Sequence, residues 1–170
     1  MKQLLQLLLI ILVSLPLQAQ MPNSSKKLVL GLGAGTYNAD NISGVSGIFD
    51  LTHEEKTHFY KLRFIANREV NLSPFREEEE DHSMEIGALI GWLSNGRNFK
   101  VALSTGAAVV TGQEVYKHGK IHKYTLVSVP AQVEARIKFS STRNLGIGYA
   151  LNLNKEQSFS VFFIKLNFIS

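Results

Sequence analysis

The chain has 170 residues, a formal net charge of +4 and no cysteine. The lack of cysteine excludes a disulfide framework and a lipid anchor attached through a thiol. The positive charge is too small to argue for a nucleic-acid partner, and the length fits a single domain.

The first segment, residues 1–19, is predicted to be a secretory signal peptide. Lys2 gives it a positive start, an apolar run over residues 4–13 follows, and Ala19 supplies the small residue at the cleavage site. The run is shorter than the ~20 apolar residues that a membrane-spanning helix needs. We therefore expect export and cleavage, with residues 20–170 forming one mature domain.

The mature sequence alternates with a period of two, which is the signature of strands that have two unlike faces. In the first segment Leu30 and Leu32 alternate with Gly31 and Gly33. Eight such segments follow one another, at residues 27–37, 44–52, 58–66, 84–93, 99–109, 127–139, 145–153 and 158–170. An even number of antiparallel strands can close into a barrel without a free edge. We therefore predict an all-β, eight-stranded antiparallel up-and-down barrel.

The small residues decide which parity faces inward. In the first, fifth and seventh segments the positions between the bulky residues are mostly Gly, Ala and Ser, which fit the narrow interior of an eight-stranded barrel. On a water-facing exterior they would more often be charged or larger polar residues. The bulky parity is therefore predicted to face lipid, and strands of about 9–11 residues are long enough to cross a membrane.

The inward parity also carries charged residues, which fall in the periplasmic half when both chain termini are periplasmic. They are Asp50, Lys61, Arg63, Lys100, Glu134, Arg136, Lys138 and Lys165. Six bases against two carboxylates would suit a lumen that attracts anions. A polar plug that holds the barrel closed is the preferred interpretation, because eight strands leave no open channel. No metal site and no cofactor are predicted.

The glycines of the interior lead to a packing hypothesis. Phe159 and Phe163 of the last segment are expected to lie across the holes that five strand glycines leave in the outer half of the barrel. These glycines are Gly31, Gly33, Gly35, Gly146 and Gly148. Because Pro130 has no backbone N–H to donate, we also expect a bulge at residues 129–131, or a sixth strand in two pieces.

The two longest connections, 68–83 and 111–122, follow the third and fifth segments and so lie at the same end. That arrangement is typical of short periplasmic turns and longer outer loops. The acidic loop 76–81 is interpreted as a solvated loop rather than a divalent-cation site. The other connection is basic, and its lysines are candidates for contact with lipopolysaccharide phosphates: Lys117, Lys120 and Lys123.

The stretches "LGLGAGTY", "LGIGYALNL" and "VFFIKLNFIS" resemble the small eight-stranded outer-membrane β-barrels of Gram-negative bacteria, over residues 27–170. The "QAQ" at the cleavage point is similar to signal peptides of Bacteroidetes, and the nearest likeness is to the uncharacterised outer-membrane β-barrel proteins of those genomes. The resemblance implies an outer-membrane location, contact with membrane lipid and lipopolysaccharide, and insertion by the barrel assembly machinery. That family typically ends on phenylalanine, whereas here Phe168 is followed by two further residues.

An enzymatic role is not expected. Lipid A deacylases share this architecture and use a His-x-Ser-Asn motif, but none of the five histidines here has a serine two places on. Those histidines are His53, His58, His82, His118 and His122. Because no base and nucleophile converge, we predict a structural or surface-interaction role through the outer loops. The alternatives are a lipid A-modifying enzyme, a small-solute pore and a soluble, secreted lipocalin-like binder.

Overall fold

A computed structural model describes residues 26–39, 42–70, 81–116, 120–155 and 158–170. These residues form eight antiparallel strands that pair in chain order, and the pairing of β1 with β8 closes the barrel. The strands are β1 (Lys26–Ala39), β2 (Ile42–Glu55), β3 (His58–Glu69), β4 (His82–Leu93), β5 (Phe99–Tyr116), β6 (Lys120–Lys138), β7 (Arg143–Leu153) and β8 (Phe159–Ile169). The predicted fold class is confirmed. No helix in the described part of the chain is long and apolar enough to cross a membrane.

Burial follows the predicted parity of the strands. In β8, Phe163 and Lys165 are buried in the interior, whereas Phe162 and Ile164, which alternate with them, are each 50% exposed on the outside. The same alternation runs along the other strands, and it leaves a belt of large apolar side chains around the barrel. Such an exterior argues against the soluble lipocalin-like alternative, because the outer surface of a soluble barrel is mainly polar and faces water.

Among the described residues, two apolar clusters lie inside the barrel, one toward each end. We call the end where β1 begins and β8 finishes the terminal end, and the opposite one the hairpin end. At the terminal end Phe59, Leu93 and Ala102 pack together. Toward the hairpin end a larger cluster includes Tyr37 and Phe159, whose ring centres are 5.8 Å apart in an edge-to-face arrangement. The interior between the clusters is polar.

Strands β5 and β6 are the longest in the described chain, with 18 and 19 residues. They pair as far as Tyr116 and Lys120, so the predicted loop at 111–122 is wrong: most of it is strand. Because β7 pairs with β6 only from Val129 onward, residues 120–128 of β6 extend beyond β7. At a rise of ~3.3 Å per residue the extension is roughly 30 Å long along the β7 edge, whereas β5 stays paired with β4 as far as Gln113. We call residues 108–116 of β5 together with residues 120–128 of β6 the β5–β6 hairpin.

The predicted bulge at Pro130 is also wrong, and so is the alternative of a divided strand. Strand β6 is continuous, and its pairs with β5 step from Thr105↔Ala131 to Ala108↔Ser128, which is three residues on each strand. The ladder therefore has a gap beside Pro130 but no inserted residue. The Thr105 hydroxyl donates a hydrogen bond of 2.9 Å to the Pro130 carbonyl, which satisfies a backbone acceptor at the gap.

Candidate functional site

A network of buried charged side chains fills the terminal half of the barrel interior, and we call it the ionic network. Its members are each at most 6% exposed. In the described chain they comprise four bases and four acids: Lys61, Arg63, Arg136 and Lys165, with Asp50, Glu54, Glu85 and Glu134. Buried charges are tolerated only when they are paired and hydrogen-bonded, so the pairing decides what this network does.

Two ammonium groups share two carboxylates at the centre of the network. Lys165 forms an ion pair with Asp50, and its Nζ lies 2.9 Å from Oε2 of Glu134. Lys61 Nζ lies 3.7 Å from Oδ2 of Asp50 and 3.5 Å from Oε2 of Glu134. These four residues come from β2, β3, β6 and β8, so their contacts connect opposite walls of the barrel.

Arg136 extends the network toward the terminal end. Its Nε donates a hydrogen bond of 2.9 Å to Oε1 of Glu134, and its guanidinium forms an ion pair with Glu54. The Phe59 ring lies beside this group, with its centre 5.8 Å from the guanidinium carbon of Arg136 and 5.4 Å from Nζ of Lys61. The ring thus offers its face to two cations, a favourable arrangement where water is excluded.

Arg63 and Glu85 form the part of the network nearer the hairpin end. Nε and Nη2 of Arg63 donate to Oε1 of Glu85 at 2.9 and 2.6 Å, and Nη1 donates to Gln132 at 3.1 Å. The second carboxylate oxygen of Glu85 accepts a hydrogen bond of 2.6 Å from Asn152. This group therefore ties β3 and β4 to β6 and β7 across the lumen.

The structure brings six of the eight predicted interior residues into the ionic network: Asp50, Lys61, Arg63, Glu134, Arg136 and Lys165. Lys100 is half-buried and Lys138 is exposed, and both line a pocket at the terminal end. The predicted excess of bases is wrong for the buried region, because Glu54 and Glu85 raise the number of buried acids to four. Glu54 lies beyond the predicted end of the second segment. Glu85 lies on the inward parity of β4, so the alternation could have identified it as an interior acid.

The predicted aromatic covering of the glycines is right at Gly148 and wrong elsewhere. A Cβ on Gly148 would lie 3.0 Å from Cε2 of Phe163, so that ring does cover the glycine. Gly31 and Gly146 instead face carboxylates of the ionic network. Gly33 and Gly35 lie against β8, where a Cβ would meet Lys165 at the first and the backbone of residues 162–163 at the second.

The predicted outer residues are only partly described. Lys117 and residues 76–80 lie outside the described residues, and of Lys120 only the backbone is described. Lys123 is exposed on the β5–β6 hairpin. His82 is exposed and Ser83 is buried, so this adjacent pair faces opposite sides of β4 and does not form a catalytic pair. No cluster of potential metal ligands occurs among the residues that the structure describes.

No family model matches the chain, and no curated protein matches it either. Solved structures do match. Neisserial surface protein A has a TM-score of 0.65 and 10% identity over 85% of this chain and 97% of its own. A major outer membrane protein of Thermus thermophilus has a TM-score of 0.62 and 9% identity over 85% and 99%. The attachment invasion locus protein Ail of Yersinia pestis has a TM-score of 0.60 and 8% identity over 85% and 97%. The likeness shows the fold, which is that of the small outer-membrane β-barrels.

Proposed function

We propose that the protein is an integral outer-membrane β-barrel that presents the β5–β6 hairpin outside the cell for contact with other surfaces. The observation that carries the proposal is the projection of β6 beyond β7, since a barrel that only closed a membrane would not need it. Two of the similar structures are named as a surface protein and as an attachment invasion locus protein, which accords with such a role.

The apolar belt supports a location in the membrane. Large side chains such as Ile86, 66% exposed, stand on the outside of strands whose inner faces hold the ionic network. A bilayer accepts that exterior, and closure leaves no unpaired backbone edge within it. Export through the predicted signal peptide at 1–19 and a Bacteroidetes origin are parts of the same proposal.

The connections support an orientation with the terminal end in the periplasm. At that end β2 and β3 are joined by two residues, and the next two turns span residues 94–98 and 139–142. The hairpin end carries both the connection at 70–81 and the β5–β6 hairpin. Short turns inside and longer elements outside are the usual arrangement in such barrels.

The interior supports a plug rather than a pore. The ionic network joins opposite walls through hydrogen bonds and ion pairs, and an apolar cluster lies on either side of it. An eight-stranded interior is just wide enough for its own side chains. We therefore assign the functional surface to the exposed hairpin, where Lys123 and the predicted Lys117 and Lys120 would contact lipopolysaccharide phosphates by charge.

A thiol-accessibility experiment tests the orientation directly, because the chain has no cysteine of its own. His122→Cys lies near the exposed tip of the β5–β6 hairpin, and Asn95→Cys lies in the turn between β4 and β5 at the terminal end. In intact cells an impermeant maleimide should label the first variant only, and permeabilised cells should allow labelling of both. Labelling of Asn95→Cys alone in intact cells would reverse the orientation and remove the proposed surface.

The surface role has its own test. Lys123→Gln is expected to weaken binding of the purified barrel to lipopolysaccharide-containing vesicles, and added salt should weaken binding of the wild type in the same way. Lys155→Gln, an exposed lysine outside the hairpin, is the matched control. Equal binding by the wild type and both variants would count against contact through the hairpin.

A further inference from the structure

A pocket with a volume of about 220 Å³ opens at the terminal end of the barrel. At ~30 Å³ per water molecule it has room for roughly seven waters, or for a small polyatomic anion with part of its hydration shell. Arg136 and Asn144, both buried, form its floor, and the half-buried Lys100 and the exposed Lys138 lie in its walls. The turn between β4 and β5 contributes Arg97 to the rim.

Basic residues predominate in the lining of this pocket. Five basic residues line it, and Glu54 is the one acid among its described lining residues. The five bases are Lys27, Arg97, Lys100, Arg136 and Lys138. Glu54 is already ion-paired with Arg136. In the described part of the chain, none of the four other bases forms an ion pair with a carboxylate.

The ionic network does not neutralise this excess. It contains four bases and four acids, with Arg136 and Glu54 counted among them, so it is balanced by itself. The pocket therefore adds four uncompensated positive groups to the mouth of a low-dielectric barrel. Like charges that converge on a cleft raise the local concentration of counter-ions. An anion in the pocket would relieve their repulsion.

The walls of the pocket are held by the fold. The Lys138 amide donates a hydrogen bond of 2.8 Å to the Asn98 carbonyl, which fixes the turn between β4 and β5 against β6. The Asn144 side chain accepts a hydrogen bond of 2.7 Å from Asn167 of β8. The basic groups are thus carried on backbone that is already ordered, so binding an anion requires little reorganisation.

We propose that this pocket is a binding site for a small phosphate-bearing anion, with Lys100, Lys138 and Arg97 as the donors that touch it. Arg136 supplies charge from the floor, where three of its five N–H groups are bonded to Glu134 and Glu54. Lys100, Arg136 and Lys138 lie on the inward parity, so the pocket opens to the aqueous mouth of the lumen. Its ligand comes from the aqueous compartment at the terminal end, which the proposed orientation makes the periplasm.

Binding of inorganic phosphate to the full-length barrel, folded in zwitterionic detergent, tests the site by calorimetry at low ionic strength. The wild type is expected to bind saturably, and Lys100→Gln/Lys138→Gln to bind roughly ten-fold more weakly because charge-assisted donors are lost. Lys56→Gln/Lys155→Gln removes the same charge at two exposed positions away from the pocket. Wild-type-like binding by that control supports a specific site, whereas an equal loss in both double variants, or no saturable binding by the wild type, overturns it.

A second variant guards against misfolding. Arg97→Gln lies in an exposed turn and should keep the heat-modifiable electrophoretic migration of the folded barrel while weakening phosphate binding. Unchanged phosphate binding by a folded Arg97→Gln variant and by a folded Lys100→Gln/Lys138→Gln variant overturns the site.

A second experiment distinguishes a soluble phosphate-bearing anion from the phosphate of a lipid headgroup. Equal phosphate binding in nanodiscs of phosphatidylcholine and in nanodiscs of phosphatidylglycerol supports a soluble anion as the ligand. If phosphate binding is lost only in the phosphatidylglycerol nanodiscs, the lipid headgroup competes for the pocket, and the assignment to a soluble source is overturned.

Discussion

Nζ of Lys165 on β8 lies 2.9 Å from Oε2 of Glu134 on β6, although β7 separates the two strands in the barrel wall. Both side chains are buried in the lumen, and they meet over Gly146 of β7, which has no side chain to separate them. Glu134 also accepts hydrogen bonds from Arg136 and Asn167. The Gln132 side chain donates to it as well, at 3.1 Å, so one buried carboxylate joins four donor residues.

Glu134→Gln removes that charge while keeping the shape of the side chain. Lys61, Lys165 and Arg136 then remain buried with fewer carboxylates, so we expect the free energy of unfolding in lipid vesicles to fall by about 3 kcal/mol or more. Glu55→Gln, at the exposed rim, should change it little. Urea titrations followed by circular dichroism measure both variants. Equal stability of Glu134→Gln and the wild type would contradict a central role for the ionic network.

A matched pair of glycine substitutions tests the packing of the inner face. A Cβ on Gly148 would collide with the Val133 carbonyl oxygen and the Phe163 ring, whereas a Cβ on Gly47 would have no atom within 4 Å. Gly148→Ala should therefore destabilise the barrel by about 1 to 3 kcal/mol. Gly47→Ala should leave stability unchanged or slightly raised, since alanine restricts the unfolded chain. Chemical denaturation of the two variants is the measurement, and a greater loss in Gly47→Ala would show that the assigned faces are wrong.

The period of two was enough to predict the barrel, the parity of its faces and the strands that carry the interior charges. It did not predict the strand at residues 111–116, because most of these residues are polar or small. "TGQEVY" at 111–116 reads as a loop, but its backbone pairs with β6 throughout. It also failed at Glu54, which precedes a turn of only two residues and so stays on the inward face of β2.

The partners across the lumen could not be predicted from spacing. Arg136 and Glu54 are 82 residues apart in sequence, and they meet because closure of the sheet places β6 opposite β2. The aromatic cover of Gly91 by Phe59 depends on the strand register, which pairs these two residues directly across β3 and β4. Alternation assigns a side chain to a face, whereas only the register and shear of the closed barrel assign its neighbours.

The exposed pair of Lys26 and Glu55 at the terminal end gives a prediction for pH. The hydrogen bond and the charge of Lys26, whose Nζ lies 2.8 Å from Oε1 of Glu55, hold the pKa of that carboxyl below its ordinary value. The small stabilisation is therefore present above the pKa of the unfolded chain and is lost as pH falls through the folded pKa. In an NMR titration Lys26→Gln should raise the pKa of Glu55, and so should added salt. An unchanged pKa in Lys26→Gln would show that the pair does not form in solution.

The closed interior predicts that the barrel does not conduct ions. Because the ionic network spans the lumen, the folded wild-type barrel should give no stable single-channel current in a planar bilayer. A large porin inserted under the same conditions provides the positive control. A steady ohmic conductance that appears only with the folded barrel would favour the small-solute pore over the plug.

The central claim is that the bulky parity faces lipid, and spin-label accessibility at two engineered cysteines tests it most directly. Ile86→Cys lies on the outer face within β4, and His122→Cys lies near the tip of the β5–β6 hairpin, beyond the residues that pair with β4 and β7. In a bilayer the label at residue 86 should be relaxed by oxygen and shielded from an aqueous nickel complex, and the label at residue 122 should show the reverse. Strong relaxation by the nickel complex at residue 86, equal to that at residue 122, would contradict the account.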